Sequence, residues 1–225
     1  MNNLASLYKA RGQYDLAEPL YKRALAVTHK HFGSDHPNVA SILNNLAELY
    51  RAQGQYKKAE PIVIQSLAIY EKTMGPDHQN VAISLNNLAE LYRAQGKYSL
   101  AEPLYKRALE IREKKFGLEH LDVADNLNNL AELYMDQGQY AKTEPLQKRA
   151  LAIRESILGP DHPEVATSLN NLAGLYLFQK KYDLAEPLYQ RALVIVETTL
   201  GPDHHDVAGS LNNLGYSTTN RENMP

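Results

Sequence analysis

The dipeptide Asn-Asn falls at Asn2-Asn3, Asn44-Asn45, Asn86-Asn87, Asn128-Asn129, Asn170-Asn171 and Asn212-Asn213, a step of 42 residues with no insertion or deletion. A fixed period of this length constrains the fold more than any local pattern. Each unit must be one supersecondary element that buries its apolar face only by stacking on its copies. Tyr14, Tyr56, Tyr98, Tyr140 and Tyr182 keep the same step, as do Glu18-Pro19, Glu60-Pro61, Glu102-Pro103, Glu144-Pro145 and Glu186-Pro187. The 225 residues are therefore expected to form one continuous array without a linker or second domain.

Within a unit, Val39, Leu43, Leu46, Ala47 and Tyr50 lie on one face at helical spacing and define a helix A over 37–52. Pro37 suits its first turn, with His36 or Asp35 as cap, and Gly54 suits the left-handed residue after its end. Tyr56, Ala59, Val63, Leu67 and Tyr70 form the stripe of a helix B that closes at Gly75-Pro76. Two helices joined by so short a turn lie antiparallel. The expected fold is all-α, with repeats at about 1–36, 37–78, 79–120, 121–162 and 163–204, a closing helix at 205–216 and a disordered tail at 217–225. Pro61 and its four equivalents stand about six residues into helix B, where a bend is expected.

Leu43, Leu46, Ala47, Tyr50, Gly54, Tyr56, Ala59, Val63 and Ser66 fall on the spacing of the tetratricopeptide repeat signature, and the first unit adds Tyr21 and Ala24. The 42-residue unit, with phrases such as GPDHPEVATSLNNLAGLY and YDLAEPLYQRAL, resembles the subclass found in kinesin light chains and their bacterial look-alikes. That resemblance implies a right-handed superhelical solenoid of antiparallel helix pairs, whose concave groove, lined by A helices, holds an extended peptide of a partner protein. The heptad coiled coil of kinesin light chains has no counterpart here, so only the peptide-binding module carries over.

Composition narrows the function. Lys and Arg number 24 against 26 Asp and Glu, a formal charge of −2, which argues against a surface built for nucleic acid or for a membrane. Cysteine is absent, excluding disulfides and thiolate chemistry. The start, MNNLASLYKARG, lacks the order of a signal peptide, so a cytoplasmic location is expected. No glycine-rich phosphate loop, GxSxG turn or HExxH is present, and a carboxylate that recurs every 42 residues reflects the repeat rather than a unique acid–base pair. The chain is therefore expected to be non-enzymatic and to use no cofactor or metal. His36, His78, His120, His162 and His204 are assigned to capping helix A, since equivalent turns are at least about 8–10 Å apart, too far for shared ligation. Lys22, Lys106 and Lys148 lie one turn from Glu18, Glu102 and Glu144, which predicts a charge-paired, solvated face.

A helical projection of 37–52 with Leu43 at its centre places Asn44, Glu48 and Arg51 opposite the core and Asn45 toward the seam with a neighbouring repeat. The expected peptide-binding groove is thus Asn44, Asn86, Asn128 and Asn170 with Glu48, Arg51, Glu90 and Arg93 in a mixed-charge first half that also includes Lys9. Its second half is Glu132, Met135, Gly174, Leu177 and Phe178. Gly174 removes bulk beside Leu177 and Phe178, which predicts an apolar anchor pocket there, with Arg93 receiving an acidic residue of the ligand. The competing expectation is a structural spacer that self-associates end to end, because the first A helix starts at Asn2 and the last has no B partner before STTNRENMP.

Overall fold

The computed structural model describes residues 2–222. Among these it contains eleven α-helices and no strand. The A helices are α1 (Asn2–Ala10), α3 (Pro37–Ala52), α5 (Gln79–Ala94), α7 (Leu121–Asp136), α9 (Pro163–Phe178) and α11 (His205–Glu222). The B helices are α2 (Tyr14–Phe32), α4 (Tyr56–Met74), α6 (Tyr98–Phe116), α8 (Tyr140–Leu158) and α10 (Tyr182–Leu200). They divide into two compact units, 1–115 and 116–225. The closing helix continues to Glu222, six residues beyond its expected end, since nothing in STTNRE breaks a helix; residues 223–225 of the expected tail lie outside the described residues. Each B helix runs unbroken through its proline, which stands at the sixth position, close to the first-turn amides that lack a helical partner in any case.

The caps form as the sequence requires. The Nδ1 atoms of His36, His78, His120 and His162 accept the backbone N–H two residues on at 3.1–3.2 Å. After helix A the chain turns through a left-handed residue, Gly54 at φ 69° in the second unit of the repeat, but Lys180 at φ 59° in the fifth.

In the first unit, Ala17, Tyr21, Ala47, Leu49, Ala59, Val63 and Leu91 form one core cluster, and Val39, Ala40, Leu43, Ile69, Val81, Ala82 and Leu85 another. In the second, Val165, Ala166, Leu169, Ala192 and Ile195 pack together, as do Leu172, Ala173, Leu175, Tyr176, Ala185 and Tyr189.

Polar ties join successive repeats. Tyr50, Tyr92 and Tyr176 donate to Glu18, Glu60 and Glu144 at 2.9–3.1 Å. Lys22 and Lys148 pair with Glu18 and Glu144 at 2.7 Å and, by those hydrogen bonds, hold both carboxyls below their ordinary range. In the second unit the buried Arg154 donates to Ser168 (2.8 Å) and Asp125 (2.6 Å), and its Nε lies 3.5 Å from Glu164.

An arginine latch recurs on the B helices. Arg107 donates to the Pro76 carbonyl at 3.3 Å and pairs with Glu71 at 2.7 Å; Arg191 does the same with Pro160 and Glu155. Gln65 and His29 hold the corresponding places at the seam of α2 and α4, and there a cleft of about 330 Å³ opens over Leu25, Val39 and Leu43. The double substitution His29→Glu with Gln65→Arg should install the latch and add about 0.2–1 kcal/mol in chemical denaturation, the range of a half-exposed ion pair, with neither single change giving the gain. Independently, Lys180→Gly should raise stability by about 0.5–1 kcal/mol, the left-handed penalty less the extra chain entropy that glycine loses on folding. A fall in melting temperature would contradict it.

Candidate functional site

The open face of an A helix is set by what its other sides bury. On α3 the core takes Val39, Ala40, Ile42, Leu43, Asn44, Leu46, Ala47, Leu49 and Tyr50, because the helix packs on both α2 and α4 and also touches α1 and α5. What remains is the stripe Asn38, Ser41, Asn45, Glu48 and Ala52, stepping by three and four residues, with Pro37 and Arg51 at its edge.

This corrects the expected placement of Asn44. It is 5% exposed, and its amide donates to Ser84 of α5 at 2.8 Å, inside a buried network in which Ser66 also bonds the Ala40 carbonyl. Asn44 is thus a seam residue, and Asn45 shares the open stripe with Glu48. Contacts of α3 with helices on several sides widen its buried arc beyond the one face that periodicity marks. Asn86, Asn128 and Asn170 are half-buried, and Oδ1 of Asn170 is buried without a hydrogen-bond partner.

In the first unit the structure brings most of the expected charged residues together. Lys9 pairs with Glu48, Arg51 lies 4.0 Å from Glu90, and Arg93 lies 3.5 Å from the same carboxylate, which also accepts from Tyr105. Glu48 and Arg51 share a hollow of about 10 Å³ with Asn87, whose Nδ2 is buried and has no partner. The mixed-charge lattice is self-satisfied, and Asn87 stands in it as an unmet donor.

The second unit has a different face. Phe178 is 66% exposed and stacks against Tyr140 with centroids 6.4 Å apart. Leu177 and Met135 are half-buried, and Met135 and Tyr140 both pack on the cluster that contains Tyr189. Gly174 leaves its place on the stripe empty, and a Cβ there would lie 3.7 Å from the Tyr189 hydroxyl. Glu132 occupies the equivalent place one repeat earlier and is half-buried. Tyr140 and Tyr189 were missed as residues of this face; the signal for Tyr189 was the break in the helix A column opposite it, where Ser6, Glu48, Glu90 and Glu132 precede Gly174.

Charge separates the units as well. Residues 1–115 carry sixteen Lys and Arg against eleven Asp and Glu, a formal +5, and residues 116–225 carry eight against fifteen, a formal −7. No helix among the described residues is long and apolar enough to cross a membrane.

The tetratricopeptide repeat pattern matches residues 1–72, 39–114, 122–195 and 167–217. A kinesin light chain-like protein of Podosopora anserina, built of nearly identical TPR-like repeats, is similar at 29% identity over 88% of this chain and 94% of that one, with a TM-score of 0.75. BtubC (BKLC) from P. vanneervenii has the same fold at 23% identity and TM-score 0.81, covering 93% and 84% of the two chains. A Rap protein complexed with Competence and Sporulation Factor matches the fold at 20% identity and TM-score 0.73, over 98% of this chain and 62% of that chain. No curated protein matches. Across eleven helices in repeating pairs, the chain belongs to the tetratricopeptide repeat family, with kinesin light chain-like repeat proteins as its structural neighbours.

Proposed function

We propose that the chain is a non-catalytic scaffold of the cytoplasm that captures an extended segment of a partner protein on its A-helix faces. The observation that carries this reading is a buried, unmet amide on the stripe face: Nδ2 of Asn87, in the hollow it shares with Glu48 and Arg51. A buried donor without a partner is uncommon in a folded protein, and a bound backbone carbonyl supplies the acceptor required. The fold it shares with a Rap protein complexed with Competence and Sporulation Factor supports the same use of such helix pairs.

A second reading rests on the opposite charges of the two units, which favour attraction between copies of the chain and so a self-associating spacer. The two are separated by panning a random peptide library on the intact chain and by sedimentation across a salt series. Capture predicts enriched peptides whose binding falls about tenfold in Asn87→Ala, the loss of one hydrogen bond in a desolvated site. Asn44→Ala should leave that binding intact and cost about 1–2 kcal/mol of stability. Absence of enriched peptides, together with oligomers that dissociate as salt rises, would favour the spacer.

A further inference from the structure

Tyr21, Tyr105 and Tyr189 occupy one position of helix B, and all three are buried. The residue that faces each hydroxyl comes from helix A of the same repeat. Ser6 meets Tyr21 at 2.9 Å, and Glu90 accepts from Tyr105. In the fifth repeat that residue is Gly174, which has no side chain to offer. Tyr189 is 4% exposed, and burial alone, without a hydrogen bond, raises its pKa. Its hydroxyl lies 3.7 Å from where a Cβ of Gly174 would stand, so it is aimed into the slot on the A-helix face that the glycine leaves open.

The slot's surroundings select an occupant. Phe178, stacked on Tyr140, stands four residues beyond Gly174 on the same stripe and is two-thirds exposed. The A helices α7 and α9 carry Asp122, Asp125, Glu132, Asp136 and Glu164 and no basic residue, and the buried Arg154 from α8 pairs with Asp125 and Glu164. In the first unit, α1, α3 and α5 carry Lys9, Arg51 and Arg93 against Glu48 and Glu90. The second unit's face therefore attracts cations and repels nucleic acid and acidic peptides. A carboxylate in the slot would meet this field; a neutral carbonyl would not.

We propose that the slot over Gly174 is an acceptor subsite for a basic, aromatic-bearing segment of a partner protein. The Tyr189 hydroxyl donates to a carbonyl oxygen of that segment, an aromatic ring of the segment covers Phe178, and its Lys or Arg side chains lie along Glu132 and Asp136. This rests on the partner-capture reading and replaces the acidic ligand residue expected from the sequence with a basic one.

The test is calorimetric titration of the intact chain with Ac-Ser-Lys-Phe-Ser-Lys-Phe-Ser-NH2 and with its counterpart in which Glu replaces Lys. The basic peptide should bind at least about tenfold tighter than the acidic one. Tyr189→Phe should weaken it about fivefold, the loss of one neutral hydrogen bond. Gly174→Ser, which rebuilds the bond that Ser6 makes to Tyr21, should raise the melting temperature and weaken binding by a similar factor, with no further loss when Tyr189→Phe is added. Failure of the basic peptide to bind, or preference for the acidic one, overturns the inference. Binding unchanged in both Tyr189→Phe and Gly174→Ser overturns it too. In that last case loss of binding in Asn87→Ala leaves partner capture standing, and retention in every variant removes capture as well.

Discussion

Close approach of helix backbones at alanine is the constraint on which the rest of the structure depends. Ala47, Ala89, Ala131 and Ala173 on the A helices and Ala17, Ala59, Ala101 and Ala185 on the B helices are at most 4% exposed. Each lies where a larger side chain would hold two helices apart. A packed interior leaves little room for relaxation, so an added methylene at such a crossing forces off-rotamer neighbours or a backbone shift. With the helices close, the tyrosine hydroxyls of helix A come within reach of the Glu that precedes proline in the previous helix B, and the imidazole caps sit at a fixed place in each turn. Thr143 is the exception among the B-helix alanines, and its hydroxyl is absorbed by the Gln139 carbonyl at 3.2 Å.

Much of this was legible in the sequence because the repeat oversamples it. Helix A of the second repeat was expected over 37–52 and is found at Pro37–Ala52, and the imidazole caps were assigned from spacing alone. A single amphipathic helix gives one noisy phase, whereas several aligned copies average the noise away. The site was less legible. Asn44 and Asn45 are chemically identical neighbours, and which of them enters the seam depends on how many helices surround α3, a tertiary fact absent from one helix's periodicity. The hydroxyl of Tyr189 was missed for a related reason: its partner lies fifteen residues back on the other helix, and the informative event there is a glycine, the loss of a group.

The two units use the same scaffold for different surfaces. In residues 1–115 the A-helix carboxylates and guanidiniums satisfy each other, which makes that face polar and self-contained. In residues 116–225 the basic members of the lattice are replaced by Met135 and Leu177, and the last carboxylate by Gly174. Stripe positions are released from packing, so substitution there changes what the surface recognises while the helices remain where they are. The repeat thus separates stability, held by the alanines and the seams, from recognition, held by the stripe.

The Arg154 seam has a meaning for assembly order. Arrays of similar repeats are prone to docking a helix on the wrong copy of its neighbour. Arg154 requires Ser168 and Glu164 from the helix that follows it. The corresponding places on α3 hold Ile42 and Asn38, and on α5 they hold Ser84 and Asn80. A misdocked α3 would bury the guanidinium against an isoleucine, and a misdocked α5 would withhold the carboxylate, each leaving a buried charge short of partners. The Asn44, Ser66 and Ser84 network marks an earlier seam with a different, uncharged chemistry. The sequence differences at the Arg154 seam therefore act as an address that keeps α3 and α5 from the place of α9.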